Sequence, residues 1–251
     1  MSLKNILKKF KNGVYKSSIE LFEFLNVPIN EVAESEIELK DIFGENINFK
    51  DISKTYLIGS INDEIFKGNK TDIDLANQKY EGILIFGVEL NVDNPQRYIL
   101  SSITRTFNQK FPYFPIIVVF KYNDKISIAN TQRENYKIDK VGEKIAKVTI
   151  LRDIDINNPH SGHLKILEQM DIKKSKKEIS TFEGLYKYYQ EVFDIELLQE
   201  NFYQQLFVIF KNLIDTLQYP NDNFNKKQNF IVRLIGRLLY QFQDIQNLKK
   251  I

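Results

Sequence analysis

Residues 114–122, FPIIVVFKY, constrain the fold more than any other segment of the chain. A continuous apolar run of this length, rich in β-branched and aromatic residues, reads as a buried strand. Asn123-Asp124 follows as a turn, and KISIAN (125–130) alternates like a hairpin partner. TYLIGSI (55–61) and YEGILIFGVEL (80–90) have strand character upstream, and AKVTILRDI (146–154) has it downstream. Between 90 and 114 the period changes. RYILSSITRTFNQKF (97–111) puts Ile99, Leu100, Ile103 and Phe107 on one side of a helix. The order strand, strand, helix, strand, strand, strand predicts an α/β fold, a mixed sheet of about five strands with a helix packed on it.

The flanks read as helical. SSIELFEFLN (17–26) opens with serines suited to N-capping and ends before Pro28; ESEIELKDIFG (34–44) stops at Gly44. From about 159 onward helical period dominates: 158–170, 181–193, 195–217 and 228–242. In the last of these, Ile231, Leu234, Ile235, Leu238, Leu239 and Phe242 recur at spacings of three and four. The charged stretch KKSKKE (173–178) reads as a solvated link. The expected organisation is an α/β domain over 1–172 and an all-helical connector over 173–251. The last apolar pattern comes close to Ile251 with no Gly or Pro to close its helix, so a fragment of a longer protein is expected.

Bulk properties mainly exclude. The chain has 35 basic and 33 acidic residues, a net charge of +2, so any nucleic-acid surface must come from local arrangement. It has no cysteine and two histidines, which excludes disulfides, thiolate metal sites and His-rich centres. No apolar run reaches the ~18 residues of a membrane span, and Met1–Lys11 is no signal peptide; a cytoplasmic location is expected. A glycine-rich phosphate loop, a nucleophile elbow and a kinase signature are all absent from the sequence.

The strand–helix–strand core resembles nucleases whose chemistry needs two carboxylates on a divalent metal and a lysine two residues beyond the second. Glu89, in GVELN, is the candidate second carboxylate; Asp74, or Asp63 or Asp72, is the first; the pair Asp74 and Glu89 would hold Mg²⁺. The position two beyond Glu89 is Asn91, not lysine, so Lys121 on the next strand is the candidate cation. The plainer reading of Glu89 is a solvated strand end. Arg105, Asn108 and Lys110, with Ser101, Ser102 and Thr104, suit contact with a phosphate backbone if they share a helix face. Arg233 and Arg237, four apart on the last helix, are further candidates for DNA phosphates or for acids of a following domain. His160 and His163 at a helix start suit a shared metal or an anion, with capping and packing the plainer role.

Four segments in order, YEGILIFGVEL, ILSSITRTFNQKFPYFPIIVVFKYNDKISIA, KVTILRDIDINNPHSGHLKIL and FDIELLQENFYQQLF…FIVRLIGRLLYQF, carry a family resemblance. They resemble the N-terminal region of single-chain type II restriction–modification proteins, in which an endonuclease is fused to an adenine-specific DNA methyltransferase. The resemblance covers roughly 80–251. It implies a restriction-endonuclease-like fold, duplex DNA as partner and Mg²⁺ as cofactor. It also implies a methyltransferase core beyond residue 251, with the S-adenosylmethionine site outside this chain. A catalytically silent DNA-binding or scaffolding module, and a protein-interaction module, are the rival readings.

Overall fold

Strand β4 (Ile116–Tyr122) is buried along nearly its whole length, which requires cover on both of its faces. The computed structural model supplies it. The structure describes residues 2–32, 39–44, 50–62, 82–135, 143–175, 179, 181–193, 195–220 and 223–248. Described elements preceding β4 are α1 (Leu3–Lys8), a 3₁₀ turn (Lys9–Asn12), α2 (Tyr15–Phe24), β1 (Glu31–Val32) and α3 (Leu39–Phe43). After them come β2 (Ile52–Asn62), β3 (Gly82–Leu90) and α4 (Arg97–Lys110). Beyond β4 lie β5 (Lys125–Asn135), β6 (Glu143–Asp155), α5 (Ser161–Glu168) and α6 (Phe182–Val192).

Among the described residues, six strands form one sheet in the order β1-β2-β3-β4-β5-β6. Every neighbouring pair is antiparallel except β3 and β4, which run parallel and are joined by α4. The mixed α/β sheet expected from the sequence is therefore present. All five expected strands are in it, with the two-residue edge strand β1 in addition. Asn123 takes the left-handed conformation (φ 45°) at the tight turn from β4 to β5.

Side-chain alternation sends the strands' apolar residues to two cores. Phe86, Val88, Val118 and Phe120 pack with Leu100, Ile103 and Phe107 of α4 and with Ile42 of α3. Ile85, Ile117, Val119 and Ile128 face the other way, onto Leu7, Phe10, Leu21 and Phe22 of the N-terminal helices and onto Leu167, Phe182 and Tyr189. Helices thus cover both faces, rather than a single helix on one.

The chain divides into two compact units, Met1–Asp194 and Ile195–Ile251. The division expected at 172/173 falls inside the first unit, because α6 belongs to its core. Tyr186 donates its hydroxyl hydrogen to the Thr131 carbonyl at 3.2 Å, and Gln132 donates to the Gln190 carbonyl at 3.4 Å. Thr181 caps the helix, accepting the Gly184 N–H at 3.1 Å. Within the second unit, α7 (Ile195–Thr216) and α8 (Phe224–Leu248) are adjacent helices whose side chains line one groove. Among the described residues, no helix is long and apolar enough to cross a membrane.

Candidate functional site

Because β3 and β4 are parallel, their carboxyl ends share one edge of the sheet. Glu89 and Lys121 are register partners at that edge, and Lys54 of β2 is paired with Glu89 from the other side. Partners in register point to the same face, so the three side chains make a row: cation, acid, cation. The two expected site residues Glu89 and Lys121 are thus brought together.

What Glu89 does there is specific. Its Oε1 accepts the backbone N–H of Val14 at 2.8 Å. Val14 precedes α2 and offers no side-chain cap. The serines expected to cap this helix, Ser17 and Ser18, instead lie within it and are buried. Glu89 supplies the acceptor from 75 residues away, at the positive end of the helix dipole. Two glycines allow the approach. A Cβ on Gly87 would lie 3.1 Å from Val14 Cγ1, and one on Gly13, whose φ is +115°, would lie 3.2 Å from Glu89 Oε1.

Asn91 also has a structural use. Its N–H donates to the Asp51 carbonyl and its Nδ2 to the Lys50 carbonyl, each at 3.0 Å, fastening the end of β3 to the approach to β2. Asp63, Asp72 and Asp74 lie outside the described residues. Among the described residues no group of three or more His, Asp or Glu side chains is placed to hold a metal ion. Glu89 alone, with one oxygen engaged, does not make the two-carboxylate Mg²⁺ site that the resemblance implies.

The α4 candidates separate. Asn108 is buried, and its Nδ2 donates to the Phe114 carbonyl at 2.9 Å, closing the loop between α4 and β4. It cannot contact a phosphate backbone and leaves the candidate set. Thr104 is likewise buried, donating to the Leu100 carbonyl at 2.7 Å. The helix places both on the core side with Leu100 and Phe107. Arg105 is half-buried, and Ser102 and Lys110 are exposed. In the second unit, Arg233 and Arg237 are exposed on α8, one turn apart around Gly236.

His160 takes the plainer of its roles, its Nδ1 accepting the Gly162 N–H at 3.1 Å as the N-cap of α5. His163 lies beside it, ring centroids 6.0 Å apart and edge-to-face. Burial holds the His163 imidazole below its ordinary pKa; the neighbouring His160 adds to this, and Asp153 partly opposes it.

One polar network escaped the sequence reading. The register slips between Ile126 and Ile128, so Arg152 and Asp153 form a bulge opposite Ser127, with Asp153 left-handed at φ 56°. Tyr122 donates its hydroxyl hydrogen to Asp153 Oδ1 at 3.0 Å and also hydrogen-bonds Ser127 Oγ. Ser127 Oγ in turn accepts the Asp153 N–H at 3.1 Å. Arg152 pairs with Asp153 Oδ2 at 3.1 Å and donates to the Pro95 carbonyl at 3.3 Å; Lys125 reaches Asn94 at 3.2 Å. Burial pushes the Tyr122 phenol up to about 12, so it stays a proton donor near neutrality. Ser127 and Tyr122 are buried, so the network fastens the loop after β3 to β5 and β6 rather than presenting a nucleophile.

Comparison with family models, with characterised proteins and with solved structures gives no match to this chain.

Proposed function

We propose that the first unit is a restriction-endonuclease-like module that holds duplex DNA without cutting it, within a protein that also carries a DNA methyltransferase domain. One observation supports this reading above the others. Helix α4 carries Arg97, Arg105 and Lys110 with no acid, while its apolar stripe, Thr104 and Asn108 face the core. A surface helix with cations and no acid suits the phosphate backbone, which fixes position without reading sequence. Glu89 is engaged at the start of α2, which argues against a purely catalytic use. The test is duplex affinity at two salt concentrations. Three phosphate contacts predict a loss of about 40-fold between about 50 and 200 mM salt, and Lys110→Glu should lower the salt slope by about one. Absence of binding at about 50 mM salt overturns the reading.

The register pairing of Glu89 with Lys121 favours a second reading, a Mg²⁺-dependent endonuclease. It requires a second carboxylate from Asp63, Asp72 or Asp74. Mg²⁺-dependent cleavage of duplex DNA by the wild-type chain, abolished in Glu89→Ala and strongly reduced in Lys121→Ala, would replace the silent module with this one.

A further inference from the structure

Two aromatic rings of the first unit are left over from its packing. The other described tyrosines there are engaged: Tyr15 stacks on Tyr56, and the hydroxyls of Tyr122, Tyr186, Tyr188 and Tyr189 are hydrogen-bonded. Tyr98 and Tyr113 are 67% and 62% exposed, and among the described residues neither meets another ring or a hydrogen-bond partner. Both belong to α4, Tyr98 to its first turn and Tyr113 to the turn that follows it. The backbone beneath each ring is held. Tyr98 is helical; around Tyr113, the Phe114 N–H donates to the Phe111 carbonyl at 3.1 Å, Asn108 holds the Phe114 carbonyl, and the Phe111 ring stacks on Phe86 at 5.7 Å. Rings displayed on ordered backbone cost a partner little ordering entropy.

What lies between the rings selects the partner. Tyr98, Ser102, Arg105 and Gln109 recur at spacings of four, three and four, one line along α4 on the side opposite Leu100, Ile103 and Phe107. Residues 95–123 contain Arg97, Arg105, Lys110 and Lys121 without one acid. Cations, a hydroxyl and an amide between two aromatic rings are the components of a single-strand site, with phosphates on the cations and base faces on the rings. Within a duplex the base faces are stacked on one another and do not reach a side-chain ring. We infer that the outer face of α4 takes a single-stranded stretch of nucleic acid adjoining the duplex, its unpaired bases stacked on Tyr98 and Tyr113. The 14 residues of α4 make it about 21 Å long, room for about 4 nucleotides, the short end of single-strand sites. The inference rests on the reading of α4 as the phosphate-contacting helix and adds what the tyrosines do.

The test is the affinity of the full chain, by fluorescence anisotropy at about 50 mM salt, for two DNA probes of equal nucleotide count. One is a blunt duplex; the other is a shorter duplex ending in a single-stranded overhang of about eight nucleotides. The overhang probe should bind on the order of 20-fold tighter, about fivefold for each stacked base. Tyr98→Ala and Tyr113→Ala alter exposed positions; each should reduce that preference about fivefold, and the two together should remove it. Tyr98→Phe and Tyr113→Phe keep the ring and should keep the preference. Equal affinity for the two probes, or a preference that survives both alanine substitutions, overturns the inference while duplex binding through α4 stands. A preference lost as fully in the phenylalanine variants also overturns it, because the hydroxyl and not the ring face would carry it. No binding of either probe removes this inference together with the reading beneath it.

Discussion

Glu89→Ala tests whether the strand-end acid is held for structure. The bond to Val14 N–H is 2.8 Å long, charge-assisted and partly buried. Hydrogen bonds to charged groups contribute about 1.5–3 kcal/mol, and a carboxylate at a helix N-terminus adds about 0.3–1 kcal/mol. Water can reach the freed N–H in part, so the lower end applies, about 2 kcal/mol for alanine. Glu89→Gln keeps an acceptor oxygen and loses only the charge, so about half that cost is expected. For a unit of this size about 1 kcal/mol moves the melting temperature by about 2–4 °C, giving about 4–8 °C for alanine and about half for glutamine. Thermal unfolding followed by circular dichroism at neutral pH measures both. Alanine and glutamine variants that melt within about 1 °C of wild type would refute the argument. They would also return Glu89 to the set of residues held for chemistry alone.

Two further outcomes follow from buried polar groups. The His163 pKa is lower in the folded chain than its ordinary 6.5, so the neutral ring is the form that folding favours. Its contribution is complete above about pH 6.5 and is lost as pH falls towards the folded value; His163→Gln should flatten that part of the curve of melting temperature against pH. Asn108→Leu leaves the Phe114 carbonyl without its donor and should cost about 1–2 kcal/mol in denaturant unfolding. Its DNA affinity under folded conditions should match wild type; a large loss would put Asn108 back on the binding surface.

The strands were legible because their signal is local. FPIIVVFKY is apolar throughout, and β4 is buried; the Asn123-Asp124 turn joins β4 and β5 as read. The second helical layer was implied by the same run but not drawn. A strand buried on both faces needs cover on both, and the helices read at the start of the chain provide part of it. The compact units divide at 194/195 and not within KKSKKE, which has the composition of a linker, because α6 is tied to the sheet through Tyr186 and Gln132, pairings invisible in composition. The Asp153 bulge was equally hidden: ILRDI keeps a strand's appearance, and only its register against β5 shows Arg152 and Asp153 together facing Ser127.

For the candidate site, residue type and spacing singled out Glu89 and Lys121, and the parallel register makes them neighbours on adjacent strands. The partner that matters most to Glu89 lay beyond that reasoning. Val14 has no side chain able to cap a helix, and an uncapped start is a demand the fold must meet from somewhere. Gly13 and Gly87 make room for the demand to be met across the sheet. Lys54 and Lys121 are its register partners on the two neighbouring strands. An acid at a strand end next to a lysine therefore has two sufficient explanations, and residue spacing alone does not separate them. The separating quantity is how many carboxylate oxygens remain free to turn outward, and here the N–H of a helix start has taken one.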